Sequence, residues 1–116
     1  MLNYIIFGTG DMSRKVLSML EVVGTEPEYF VDNYVSCNST VYNEYKVYHP
    51  DNLRKEKNVS VIVSVLGNEE IIRIQLKEMK LDPTIELIYY SDIALRLQNQ
   101  IGRSVLYDAW RTGVIK

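Results

Sequence analysis

Two glycines follow the first apolar run of the chain at a spacing that suits the binding of a phosphate group. The run 4–7 leads directly into Gly8 and Gly10, and a helical pattern begins at the next residue. Gly8 permits a sharp exit from a strand, and Gly10 lets the backbone approach a ligand closely. The N-terminus of the following helix offers unpaired N–H groups and a partial positive charge, which favour an anion. The pattern therefore predicts a nucleotide-binding turn between a strand and a helix.

Two residues of this turn depart from the usual dinucleotide pattern. Ser13 stands where a third glycine is expected, at a position where helix and strand pack and a small residue is tolerated. Asp11 can cap the same N–H groups that a phosphate would need, whereas Arg14 and Lys15 can offset its charge. Such a turn also occurs as a purely structural element. We expect functional use, and both interpretations remain open at this stage.

Two further segments are predicted to face the same crevice. Asp32 ends the second strand and follows Gly8 at close to the spacing of about 20 residues at which an acidic residue bonds a ribose hydroxyl. The alternative is a loop aspartate that caps its own backbone. The turn after the fourth strand forms the other wall, or it is an ordinary strand exit and helix cap. The predicted nucleotide site comprises Gly8, Thr9, Gly10, Asp11, Met12, Ser13, Asp32, Asn33, Ser64, Gly67 and Asn68.

The remaining chemically reactive residues do not predict a catalytic site. His49 is the only histidine, beside a proline, and it has no partner visible in the sequence. Cys37 lies in a polar loop without a neighbouring group that would activate it. The spaced tyrosines Tyr42, Tyr45 and Tyr48 are expected to pack in a loop and an edge strand, with base stacking as the minor alternative. We predict no catalytic residue and no metal site.

Alternating strand and helix patterns surround these residues and define the fold class. They predict an α/β domain with a parallel sheet of about five strands in the order 3-2-1-4-5, and helices on both faces. The turns after strands one and four then face one crevice, because the strand order reverses between them. Residues 34–45 are predicted to form a loop. Strands are predicted at 4–7, 28–31, 45–48, 59–65 and 85–89, helices at 11–23 and 69–82, and a brief helical turn near Pro50.

Length and composition indicate one small domain with a short extension. The chain has 116 residues and a net charge of −2, which gives no broad attraction to nucleic acid or to an anionic membrane. No apolar run reaches membrane-spanning length, and no signal peptide is recognisable, so a cytoplasmic location is the expectation. Residues 1–90 are predicted to form the nucleotide-binding domain. Residues 91–116 are predicted to form a helical extension that packs on this domain, on a second copy or on a partner.

Four segments in order resemble a known group of domains. They are Ile5-Ile6-Phe7-Gly8-Thr9-Gly10, Phe30-Val31-Asp32-Asn33, Val47-Tyr48-His49-Pro50-Asp51 and Val61-Ile62-Val63-Ser64-Val65. Together they resemble the small Rossmann-like domain at the N-terminus of bacterial sugar O-acyltransferases of the sialic acid O-acetyltransferase type. Similar domains accompany polysaccharide-biosynthesis methyltransferases and nucleotide-sugar dehydratases. The resemblance covers residues 3–90 and implies that Gly8, Gly10 and Asp32 line the site of a UDP-sugar.

The resemblance implies a binding module rather than a complete enzyme. In the acyltransferases a β-helix of hexapeptide repeats completes the active site, and no such repeats follow residue 90 here. We therefore expect a nucleotide or nucleotide-sugar binding module of surface-polysaccharide biosynthesis that is not catalytic alone. A small NAD(P)-dependent oxidoreductase or epimerase-like domain is the alternative. A third possibility is a scaffold that makes protein contacts through residues 91–116.

Overall fold

The alternation of apolar runs and amphipathic segments produces one sheet with helices against it. The computed structural model describes residues 3–35, 40–65 and 67–93. Cys37 and most of the predicted C-terminal extension lie outside these ranges. In chain order the elements are β1 (Asn3–Phe7), α1 (Asp11–Val22), β2 (Pro27–Val31), β3 (Thr40–Tyr42), β4 (Tyr45–Tyr48), a 3₁₀ helix (Pro50–Lys55), β5 (Val59–Val63), α2 (Glu69–Met79) and β6 (Glu86–Tyr89).

The sheet has the strand order β3-β4-β2-β1-β5-β6. β1 pairs in parallel with β2 and β5, and the outer pairs β2–β4 and β5–β6 are also parallel. These five strands have the order predicted from the sequence. Because β1 and β5 are neighbours, the turns that follow them lie at the same edge of the sheet.

The prediction of a purely parallel sheet, with a loop over 34–45, is wrong at one edge. β3 pairs antiparallel with β4, so the sheet is mixed. The two strands are joined by a two-residue turn at Asn43 and Glu44, whose φ angles of 47° and 71° are both positive. Positive φ at both central residues is typical of the type I′ turn, whose twist matches that of a hairpin.

Helices cover both faces of the sheet, as predicted. The α1 face buries Val16, Leu17 and Leu20 against residues of β1, β2, β4 and β5. The opposite face buries Leu53 of the 3₁₀ helix and Ile72, Leu76 and Met79 of α2. The central strands must therefore be apolar on both sides, and all five side chains of β5 are buried.

The start of the predicted extension packs on the α1 face. Residues 90–93 are helical, Tyr90 is buried in the α1-face core, and Ile93 packs against it. The remainder of the predicted extension falls outside the described ranges. Neither α1 nor α2, nor any other helix in those ranges, combines the length and the apolar character that crossing a bilayer requires.

Candidate functional site

The turn between β1 and α1 depends on glycine at its first position. Gly8 has a φ of +117°, which side chains with a Cβ rarely adopt. A Cβ at this position would lie 3.0 Å from the Ser13 Oγ and 3.0 Å from the Ser64 carbonyl oxygen. Gly8 therefore permits the sharp exit from β1 that the sequence predicted, and its lack of a side chain also permits the close approach of α1 to β5.

Gly10 is under no such constraint. It is the N-cap of α1 with a φ of −95° and a ψ of −159°, which is an extended conformation open to any residue. A Cβ there would have no atom within 4 Å. Serine, asparagine or aspartate would cap a helix more effectively than glycine in such a conformation. Neither backbone geometry nor packing accounts for glycine at this position.

The side chain of Asp11 does not cap α1. No side-chain cap bond is formed at this helix N-terminus, and the Asp11 side chain is 94% exposed beside Arg14, at 4.0 Å. The sequence raised the possibility that Asp11 would occupy the N–H groups that a phosphate needs, and the structure contradicts it. The first turn of α1 keeps its N-terminal N–H groups clear of this carboxylate.

Asp32 connects the exit of β2 to the glycine turn. Its Oδ2 accepts a hydrogen bond of 2.8 Å from the Thr9 hydroxyl, and its Oδ1 accepts one of 2.9 Å from the Tyr34 backbone N–H. The second bond is the local backbone cap that the sequence offered as the alternative to ribose binding. A carboxylate accepts about four hydrogen bonds, so Asp32 keeps capacity for further donors.

The second wall is formed in part as predicted. Ser64 and Asn68 line the crevice, whereas Gly67 is not among the lining residues. Ser13 is fully buried, and its hydroxyl lies 3.4 Å from the Ser64 carbonyl oxygen. Ser13 thus has the helix-packing role expected of the third position of the motif, and it lies behind the crevice rather than in it.

These groups surround a crevice with a volume of about 770 Å³ at the edge of the sheet where β1 and β5 end. Its charged lining comprises two cations, Arg14 and Lys15, and two carboxylates, Asp11 and Asp32. No histidine or cysteine is among the described lining residues. The full set is Gly8, Thr9, Gly10, Asp11, Met12, Arg14, Lys15, Asp32, Ser64, Val65 and Asn68.

A second cavity of about 350 Å³ adjoins the first and shares Gly8, Asp32, Val65 and Asn68 with it. Its other lining residues are Phe7, Asn33, Tyr34, Ile71 and Ile72. Tyr34 and Ile71 are 94% and 66% exposed, although both are largely apolar. Neither residue was predicted from the sequence to belong to the site.

Asn33, a predicted site residue, lines the second cavity and is bonded to α2. Its side-chain amide exchanges two hydrogen bonds, of 2.8 Å and 2.7 Å, with that of Gln75. This pair ties the loop after β2 to the helix on the same face of the sheet. The shape of the second cavity therefore depends on a contact between residues far apart in the sequence.

The other candidate residues have structural roles. The His49 Nδ1 accepts the backbone N–H of Asp51 and caps the 3₁₀ helix. The tyrosine rings pack as expected, with Tyr42 and Tyr45 against Phe30 and Tyr48 against Tyr29. The described residues contain no group of three or more His, Cys, Asp or Glu placed to hold a metal ion.

Polar contacts brace α2 against the end of β6. Glu69, in the first turn of α2, accepts a hydrogen bond of 2.6 Å from the Ser91 hydroxyl and forms an ion pair of 3.1 Å with Arg73. Burial acts to raise the pKa of Glu69, but the hydrogen bonds from Ser91 and Arg73 outweigh it and lower that pKa. The Arg73 guanidinium also lies 3.7 Å from the centroid of the Tyr89 ring.

Comparison with known proteins identifies one family. Residues 1–84 match the model of the family described as C2185-like, N-terminal. This match runs from β1 to the end of α2 and includes every residue that lines the two cavities. No curated protein and no solved structure matches the chain.

Proposed function

The chain belongs to the C2185-like N-terminal family, and we propose that its crevice binds a nucleotide through the phosphate groups. The proposal rests above all on Gly10, an N-cap glycine that neither backbone conformation nor packing requires. A side chain there would project into open space at the end of α1. A bound phosphate would need that same space and the N–H groups beside it.

The charges around the crevice support an anionic ligand. Arg14 and Lys15 line it within the first two turns of α1, and Asp11 pairs with Arg14 instead of capping the helix. Lys15 is thus a further cation for a phosphate oxygen. A helix N-terminus and nearby cations stabilise an anion together, since the partial charge of the helix dipole has the same sign as theirs.

The second cavity suits the remainder of a nucleotide. Asp32 lies between the two cavities, where its spare acceptor capacity would serve ribose hydroxyls. Tyr34 and Ile71 offer exposed apolar surface on the far side of Asp32. An aromatic ring and an aliphatic side chain are suitable neighbours for a planar base. We therefore place phosphate at Gly10, ribose at Asp32 and base or sugar beside Tyr34.

The resemblance noted in the sequence makes a UDP-sugar of surface-polysaccharide biosynthesis the ligand class to test first, on a Rossmann-like domain that is not catalytic alone. NAD or NADP is the alternative, for an oxidoreductase or epimerase-like domain. The two cations of the lining, Arg14 and Lys15, suit an anionic ligand of either class. A cytoplasmic location and self-association through residues 91–116 remain predictions.

Thermal unfolding with added ligands tests the proposal directly. The chain is heated with UDP, a UDP-sugar, NAD, NADP or CoA, and a ligand at 100 times its Kd should stabilise the fold by about 2.7 kcal/mol. Stabilisation by UDP compounds alone supports the leading proposal, and stabilisation by NAD or NADP alone supports the alternative. If none of them stabilises the fold, the nucleotide site is refuted.

A matched pair of variants locates the ligand. Gly10→Asp and Gly10→Asn have nearly the same shape, and both side chains can cap α1, so neither should unfold the domain. Only aspartate adds a negative charge beside the proposed phosphate. We expect Gly10→Asp to abolish the shift caused by the ligand and Gly10→Asn to weaken it. A full shift in Gly10→Asp would place the ligand elsewhere.

A further inference from the structure

The hydroxyl of Tyr42 contacts the glycine turn from the edge of the sheet. Tyr42 is the last residue of β3, and its hydroxyl donates a hydrogen bond of 3.1 Å to the Gly10 carbonyl oxygen. Its ring packs on Phe30 with the centroids 4.9 Å apart. The tight turn at Asn43 and Glu44 fixes the position of the Tyr42 backbone, and so does the pairing of β3 with β4.

This bond acts on the peptide group at the mouth of α1. The Gly10 carbonyl and the Asp11 N–H belong to one planar trans peptide, so they point in opposite directions. The same carbonyl accepts the Arg14 N–H at 3.3 Å, the first hydrogen bond of the helix. The Asp11 N–H therefore points out of the N-terminal end of α1, where Gly10 and Asp11 line the crevice.

A second donor on that carbonyl has two physical effects. It restricts rotation of the Gly10–Asp11 peptide, whose glycine would otherwise have wide conformational freedom. It also polarises the peptide, because hydrogen bonds in a chain strengthen one another. Both effects make the Asp11 N–H a better and more precisely directed donor to an anion.

We propose that Tyr42 is a positioning residue for the anion site, acting through the Gly10–Asp11 peptide. The proposal rests on the proposed function for its ligand but not for its geometry. In this proposal Tyr42 does not contact the phosphate itself and acts only through the Gly10–Asp11 peptide. The β3–β4 hairpin thus sets the geometry of the phosphate-binding turn, and removal of one hydroxyl should weaken phosphate binding while the fold remains intact.

The test compares Tyr42→Phe with Tyr45→Phe. Both changes keep a ring against Phe30. Of the two hydroxyls, only that of Tyr42 is hydrogen-bonded to the glycine turn in the described part of the chain. Tyr42→Phe should bind UDP about 3- to 10-fold more weakly, the loss expected for one hydrogen bond. Its affinity for uridine, which has no phosphate, should not change. Tyr45→Phe should bind UDP as the unaltered chain does.

An NMR measurement without ligand separates this proposal from the proposed function. In ¹H–¹⁵N spectra the Asp11 amide resonance should shift in Tyr42→Phe and stay in place in Tyr45→Phe. If the unaltered chain binds none of UDP, a UDP-sugar, NAD, NADP and CoA, the proposed function fails, and the Asp11 resonance alone decides whether Tyr42 positions the peptide. An unmoved Asp11 resonance, or equal loss of UDP and uridine affinity in Tyr42→Phe, overturns the proposal.

Discussion

Replacing Gly8 by alanine should destabilise the fold far more than the same replacement at Gly10. At Gly8 the φ of +117° is unfavourable for alanine, at a cost of about 1–3 kcal/mol. The new Cβ would lie 3.0 Å from the Ser64 carbonyl oxygen, and such overpacking costs about 1–3 kcal/mol more. Alanine also makes the unfolded chain less flexible, which offsets about 0.4–1 kcal/mol of this loss of stability. The expected net loss is about 3 kcal/mol, roughly a 12 °C fall in Tm for a domain of this size.

At Gly10 the opposing terms nearly cancel. Alanine is a poorer N-cap than glycine, by about 0.5–1 kcal/mol. The reduced entropy of the unfolded chain returns about 0.4–1 kcal/mol, and a Cβ there would contact nothing within 4 Å. We therefore expect the stability of Gly10→Ala to lie within about 0.5 kcal/mol of that of the unaltered chain.

Urea unfolding followed by circular dichroism, without ligand, measures both variants on one scale. The m-value should stay constant across the three proteins, so that midpoint differences report stability. A loss below about 0.5 kcal/mol for Gly8→Ala, which is the range of ordinary surface changes, would refute the strain argument. An equal loss in Gly10→Ala would refute the claim that the fold does not require glycine there. That result would also remove the main support for a ligand at this position.

Three further predictions concern the hairpin, the brace between α2 and β6, and the cations. Glu44→Gly should stabilise the domain by about 0.5–1 kcal/mol in urea unfolding, because Glu44 has a φ of 71° that glycine adopts more easily. Glu69→Gln should flatten the loss of stability as the pH falls below the unfolded value of about 4.3. The folded-state pKa of Glu69 is lowered, so the stability that it contributes is present above that value and is lost as the pH falls. Glu70→Gln is its charge-matched control, and equal curves for the two variants would contradict this. Lys15→Gln should weaken UDP binding in calorimetry. The difference in affinity from the unaltered chain should shrink with salt, because the Debye length falls from about 10 Å at 0.1 M to about 3 Å at 1 M. A difference in affinity that does not depend on salt would exclude a charge effect.

The sequence predicted the central strands and their order because those strands are buried on both faces. The run Val59–Val63 is almost entirely β-branched, and every one of its side chains is buried. The hairpin β3–β4 was missed for a local reason. Its turn residues are Asn43 and Glu44, whereas the strong sequence signal for such a turn is asparagine followed by glycine. The pairing of β3 with β4 and the packing of the Tyr45 ring on Phe30 hold Glu44 at a positive φ, which a residue with a side chain disfavours.

The candidate site was predictable where its geometry is local. Gly8 and Asp32 each follow the last residue of a strand, and Gly10 is the N-cap of the helix that follows β1. Their spacing was enough to predict that they lie at one edge of the sheet. Tyr42 and Ile71 were missed because their contribution depends on tertiary placement. Ile71 fits the apolar pattern of α2 but lies on its exposed side, 66% accessible. A helical period identifies apolar residues without showing which of them the sheet will cover.

Long-range hydrogen bonds from three parts of the sheet determine the shape of the glycine turn. Thr9 is bonded to Asp32 after β2, Ser13 to the Ser64 carbonyl after β5, and Gly10 to Tyr42 of β3. All three bonds join the turn to residues distant in the sequence, so each of them restricts its shape. A preorganised site avoids the cost of ordering its loops when the ligand arrives, and that saving appears as affinity. The three bonds explain how an exposed turn in a chain of 116 residues can be held in one shape. We therefore expect changes at Asp32 or Tyr42 to alter binding at the proposed phosphate site through the shape of the turn, in addition to any contact of their own.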